Sequence, residues 1–135
     1  MIIGIGTDLV EVERIKKELA SHGEKFIDML FTESERTYCT RTDKVTIQAQ
    51  CFAARFAAKE AFFKALGSGL RGGLSWKDVE VINNEHGKPD LLLKDTAQKI
   101  CKDTGINRVH VSLSHTRKNA TAVVILEKYK LKSEE

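Results

Sequence analysis

The stretch Val45–Leu66 constrains this chain more than any other. It contains QAQCFAARFAAKEAFFKAL, rich in alanine and free of glycine and proline. Those residues pay little to enter a helix, so one long unbroken helix is expected. Phe52, Phe56 and Phe63 fall near one of its faces. Gly67 then supplies a stop, and GSGLRGG reads as a flexible loop. The chain has 135 residues, close to the commonest domain size, so one domain is expected.

The other elements are shorter. Residues 2–10 alternate as a strand, with Ile3, Ile5, Thr7 and Leu9 on one face. Asp8 shares the opposite face with Gly4 and Gly6, where a backbone or a ligand can come close. Residues 11–21 form a helical stripe through Val12, Ile15 and Leu19, and 24–31 suit a second short helix. Thr32-Glu33-Ser34-Glu35 is a capping-box pattern that opens a helix to about Thr40. Trp76–Ile82 alternates as a strand. Asn83, Asn84, Gly87 and Pro89 supply turn chemistry, and Leu91–Leu93 pairs back as a hairpin. Asp95–Thr104 reads as a helix stopped by Gly105. Two strands, Arg108–Ser114 and Ala120–Glu127, flank a turn at His115–Asn119. The expected order β-α-α-α-α-β-β-α-β-β is α+β, a single domain over residues 1–130 with a polar tail at 131–135.

Hydrophobic residues make up 41% and charged residues 30%, a globular composition. No apolar run reaches transmembrane length, and Asp8 interrupts the first apolar segment too early for a signal peptide. The net charge of +3 allows phosphate or acidic partners. A nucleic-acid binder would show a denser basic stripe with stacking aromatics, so no nucleic-acid partner is expected. Cys39, Cys51 and Cys101 are odd in number and carry no CxxC spacing. Buried structural thiols in a reducing cytoplasm are the simple expectation.

Three residues stand out for chemistry. Asp8 lies in an apolar strand, where an unpaired carboxylate is costly. It reads as a metal ligand, or as a strand-end carboxylate paired with a basic side chain. Glu60 shares a helical face with Phe56 and Lys64; with Lys64 it has the favourable order for an ordinary ion pair. Together Asp8 and Glu60 can supply the one or two carboxylates that Mg²⁺ uses alongside phosphates and water. Arg55, Lys59 and Lys64 put positive charge along the same helix. His115 falls at a strand end, suited to phosphate hydrogen bonding or proton transfer, or to a plain turn. The glycines follow the long helix and no GK[ST] is present, so this is no P-loop.

At these residues the chain resembles the holo-[acyl-carrier-protein] synthase family of phosphopantetheinyl transferases. Three blocks carry the resemblance in order: GIGTDLVEVERI, FAARFAAKEAFFKALGSG and VSLSHTRKNATAVV. The resemblance implies that family's fold, with helices packed on a small, mostly antiparallel sheet. It implies transfer of 4′-phosphopantetheine from coenzyme A to a serine of apo acyl carrier protein, releasing adenosine 3′,5′-bisphosphate. Family Mg²⁺ ligands map onto Asp8 and Glu60, and phosphate-binding basic residues onto Arg55 and Lys64. Gly67 falls in the coenzyme A loop and His115 matches a site histidine near the coenzyme. Glu60, Lys64 and His115 are thus the implied catalytic set, with Glu60 or a water on the metal as base. Arg14 matches an arginine facing the acidic carrier protein. The family's short members also imply a homotrimer with sites between subunits.

Overall fold

The computed structural model describes residues 1–67 and 72–130. The tail 131–135 and most of the glycine-rich loop lie outside the described residues. Nine elements and one 3₁₀ turn follow in order: β1 (Ile2–Glu11), α1 (Val12–Leu30), α2 (Glu33–Cys39), α3 (Val45–Leu66), the 3₁₀ turn Trp76–Asp78, β2 (Val79–Asn83), β3 (Pro89–Leu93), α4 (Asp95–Thr104), β4 (Arg108–His115) and β5 (Asn119–Glu127). β1, β5 and β4 form one antiparallel sheet, and β2 pairs with β3 in a separate hairpin.

α3 is the centre of the molecule. It is buried on nearly every side, from Ala49 and Phe52 through Phe62 and Phe63. Its alanines present a low-relief surface to the sheet, whose Ala120, Ala122, Val124 and Leu126 are buried beneath it. Phe52 packs on Phe31, while Phe56 and Phe63 both pack on Trp76. Gly4 and Gly6 allow β1 to reach the helix. A Cβ on Gly6 would stand 1.9 Å from the Ala61 carbonyl oxygen, and one on Gly4 would stand 2.1 Å from that of Ala65. Any side chain there would push strand and helix apart. The face of β1 bearing Gly6, Asp8 and Val10 therefore turns inward, and Ile5 and Leu9 turn to solvent.

The expected break between residues 11–21 and 24–31 is present: Gly23 has a non-helical backbone and kinks α1 into two helical halves. Two expectations need correction. Trp76–Asp78 is a 3₁₀ turn, not the start of a strand. Ser75 caps it and Asp78 returns to the Ser75 amide, so local side-chain bonds win over the alternating pattern. Cys39 and Cys51 are joined in a disulfide, with Cα atoms 5.5 Å apart. The end of α2 abuts the second turn of α3, a proximity that a spacing of twelve residues does not reveal. Only Cys101 is a buried free thiol. The capping box at Thr32 and Glu35 forms as its spacing predicts, and Gly67 ends α3 in the left-handed conformation.

Candidate active site

The close packing of β1 on α3 sets the site. Once Gly4 and Gly6 seat the strand, Asp8 stands beside the last turns of the helix. Lys64 Nζ donates to Asp8 Oδ1 at 2.9 Å and to the Thr7 carbonyl at 3.1 Å. The ordinary i,i+4 reading would have closed Lys64 onto Glu60. Instead the lysine crosses to the strand, which keeps its ammonium firmly protonated. Asp8 is mostly covered, with 13% of its side chain exposed, whereas Lys64 has 54% exposed.

Glu60 completes the group. Burial raises its pKa above the ordinary carboxylate value, and the nearby Asp8 charge raises it further, while Lys64 and Arg14 pull it down. Asp8 and Glu60 are thus two half-buried carboxylates close enough for their charges to oppose one another, with Lys64 and Arg14 as the cations beside them. Arg14, exposed at the start of α1, packs its guanidinium over the Phe56 ring at 5.8 Å, on the Glu60 side of α3. Asp8 from β1, Glu60 and Lys64 from α3, and Arg14 from α1 are therefore brought together.

The other expected site residues are placed elsewhere in the single chain. Arg55 lies on a different face of α3, five residues before Glu60. It is buried, donating to Asn83 Oδ1 at 2.8 Å and to Cys51 Sγ at 3.3 Å, with its guanidinium 4.4 Å from the Tyr38 ring centre. His115 ends β4, and β5 separates it from β1. It is exposed beside the turn into β5. Gly67 stands at the end of α3, just past Lys64, and among the described residues nothing lies within 4 Å of where a Cβ would stand.

Lys59 departs from its expectation. It reads in the sequence as charge for a phosphate, but it is fully buried. Its ammonium donates to Glu35 at 2.8 Å and to the carbonyls of Val79 and Trp76 at 2.6 and 3.0 Å. All three donors are spent, so Lys59 fastens α3 to α2 and β2. Sequence reasoning also passed over Tyr38 and Arg41, which stack on each other at 3.7 Å next to Arg55. The only signal for them was a tyrosine and a nearby arginine ahead of the long helix.

Could this site hold a divalent cation? Among the described residues no cluster of three or more His, Cys, Asp or Glu side chains gathers. Two hard carboxylates, Asp8 and Glu60, half-buried and repelling one another, suit Mg²⁺, which takes few protein ligands and completes its shell with phosphate and water.

Comparison with known proteins gives a consistent result. Residues 4–124 match the model of the 4′-phosphopantetheinyl transferase superfamily. The chain is 45% identical over 128 residues to a holo-[acyl-carrier-protein] synthase of Geobacter sp. strain M21, covering 95% of this chain and all of that one. The crystal structure of a holo-[acyl-carrier-protein] synthase from Neisseria meningitidis superposes with a TM-score of 0.82 at 35% identity, over 95% of this chain and 100% of the other. A Bacillus anthracis holo-(acyl-carrier-protein) synthase in complex with CoA (3′,5′-ADP) superposes with a TM-score of 0.80 at 37% identity, over 96% and 99%.

Proposed function

The chain belongs to the 4′-phosphopantetheinyl transferase superfamily, and we propose how its residues divide the transfer of 4′-phosphopantetheine from coenzyme A to a serine of apo acyl carrier protein. The observation that carries the reading is the meeting of Asp8, Glu60 and Lys64 at the β1–α3 contact. Attack by a serine hydroxyl on the β-phosphate of coenzyme A builds negative charge on the nonbridging and leaving oxygens. The Lys64 ammonium, exposed and already protonated, is positioned to meet that charge. Glu60, with its raised proton affinity, is the acceptor for the serine proton. Asp8 holds Lys64 in place through their hydrogen bond. Asp8 and Glu60 would also hold Mg²⁺, which when bound supplies Lewis-acid stabilisation of phosphoryl oxygens.

Arg55, Gly67 and His115 are assigned to coenzyme A, and Arg14 to the acidic carrier protein. That division calls for a homotrimer, because Arg55 and His115 lie away from Asp8 and Glu60 within one chain. A neighbouring copy could bring them to the same ligand. The exposed face of the β1–β5–β4 sheet is suited to such packing: Ile5 is 63% and Leu9 69% exposed, and Val123 lies on the same face. An apolar sheet face of this kind usually marks an interface. The cytoplasm is the compartment assigned to the reaction. Among the described residues no helix is long and apolar enough to cross a membrane.

The test is direct. Incubation with coenzyme A, Mg²⁺ and apo acyl carrier protein should increase the carrier's mass by one phosphopantetheinyl group. Asp8→Ala and Glu60→Ala should each lower turnover by about a hundredfold or more, with the circular dichroism spectrum unchanged. Full activity in both variants would remove the site assignment. Sedimentation of Leu9→Asp should show a smaller species than wild type if the sheet face is the trimer contact.

A further inference from the structure

Arg55 is buried but incompletely partnered. Its Nη atoms reach Asn83 and Cys51, while Nε makes no hydrogen bond among the described residues. A buried donor left open in this way points to a missing acceptor. The guanidinium leans on Tyr38, and Arg41 stacks on the same ring. Cys39 follows Tyr38 directly, and Cys51 lies one helical turn before Arg55. The disulfide between them therefore ties the ring to the helix that carries the guanidinium.

We infer that Cys39–Cys51 is a thiol–disulfide exchange site that sets how Arg55 is presented to the phosphates of coenzyme A. This rests on the assignment of Arg55 to coenzyme A binding. When the bond is formed, Cys51 sulfur is neutral and accepts weakly, so Arg55 keeps its charge for an incoming phosphate. Tyr38 is also held against α3, which fixes the guanidinium plane. When the bond is open, the end of α2 loses its covalent tie to α3, so Tyr38 no longer fixes the guanidinium plane and Arg55 is presented to phosphate less well.

The co-reactant is a small-molecule disulfide such as oxidised glutathione. The Cys51 thiolate attacks one of its sulfurs and expels a thiolate. The Cys39 thiol, after losing its proton to water, attacks the Cys51 sulfur and expels the second thiolate. Two electrons pass to the small disulfide, which takes up two protons and leaves as two thiols. Bonds of this kind in a reducing compartment are usually transient and sensing rather than permanent.

The full-length enzyme can be equilibrated in reduced and oxidised glutathione, denatured, and tagged on its free thiols. The oxidised form should take one tag, at Cys101, and the reduced form three. Binding of adenosine 3′,5′-bisphosphate, which carries no thiol, is then titrated calorimetrically in each state. Oxidised wild type should bind about tenfold tighter, the scale of one charge-assisted hydrogen bond. Cys39→Ser should bind like reduced wild type in both buffers. If wild type binds equally in both states while Arg55→Ala binds more weakly, the exchange site is overturned and the Arg55 assignment stands. If Arg55→Ala binds like wild type, that assignment fails and takes the inference with it. Three tags at every glutathione ratio would also overturn it.

Discussion

Two lysine–carboxylate pairs sit on the same helix, five residues apart, and do different work. Lys59 and Glu35 meet at 2.8 Å with neither side chain exposed. Lys64 and Asp8 meet at 2.9 Å, but at the edge of the fold. The distances are nearly equal; the surroundings are not. Lys59 spends its remaining donors on two backbone carbonyls, and Glu35 accepts from the amides of Thr32 and Val81. That pair is closed. Lys64 spends two of its three donors on Asp8 and the Thr7 carbonyl, and Asp8 has the like charge of Glu60 nearby. An ion pair becomes chemistry when its members keep capacity for a third party, and architecture when they do not.

The sharpest way to break the comparison is Glu35→Ala. It leaves the Lys59 ammonium buried without its counter-charge, frees the Val81 amide, and opens the capping box of α2. Loss of one partner of a buried pair costs about 3–5 kcal/mol, so urea denaturation should show most of the stability gone. The double variant Glu35→Leu with Lys59→Met should recover much of that loss, because replacing both charges by apolar groups removes the unpaired ion. If the double variant is as unstable as the single one, the backbone bonds rather than the charge pair hold this corner.

The next effect comes from the strand that delivers Asp8. In Gly6→Ala the new methyl meets the Ala61 carbonyl oxygen, a backbone atom that cannot swing away. The strand must lift, at about 1–3 kcal/mol for an overpacked contact. Asp8 moves with it, so transferase activity should fall further than the change in thermal midpoint explains. Activity that tracks the folded fraction alone would show that Asp8 tolerates displacement.

These contrasts also explain what the sequence reveals. The alanine-rich run, the capping box at Thr32, the hairpin turn and the glycine stops are local patterns, and each element stands near where its pattern puts it. The inward face of Asp8 and the shared helical face of Glu60 and Lys64 are legible because strand alternation and i,i+4 spacing are local as well, but the pairing of Lys64 with Asp8 is not, because it crosses from α3 to β1. What stays hidden depends on tertiary neighbours. Lys59 and Lys64 look alike along the helix, and only the arrival of Glu35 and Val79 from elsewhere makes one of them structural. The Cys39–Cys51 bond and the Tyr38 stack on Arg55 likewise depend on how α2 returns to α3. The Trp76 turn departs from the alternating pattern because Ser75, just before it, and Asp78, within it, bond the backbone of the same turn.

A smaller effect tests the closed side by pH. Burial opposes ionisation of Glu80, but hydrogen bonds from Thr32 and Lys94 outweigh it and hold its carboxyl below the ordinary range. A depressed folded-state pKa stabilises the fold above the unfolded value of about 4.3. That contribution disappears as pH falls through the lower folded value. Glu80→Gln should therefore be about 1–2 kcal/mol less stable than wild type at pH 7, with the gap closing in acid below about pH 4. A gap that persists unchanged at low pH would trace the loss to packing instead of charge.

The smallest change in stability belongs to the open pair. Lys64→Met keeps the length of the side chain and removes its charge, leaving Asp8 facing Glu60 alone. Exposed ion pairs contribute about 0–1 kcal/mol and are screened by salt. The thermal midpoint should therefore hardly move at low ionic strength and match wild type in 1 M salt. Activity should respond in the opposite proportion, falling by about a hundredfold, because charge that develops on the phosphoryl oxygens has lost its nearest protein cation. Lys64→Arg separates charge from shape: it restores the cation but spreads it over a planar fork, so partial recovery is expected. A large stability loss in Lys64→Met, or full activity without the cation, would erase the distinction between the two pairs. A small stability loss with a large catalytic one would mean that the fold hardly depends on the lysine that the reaction requires.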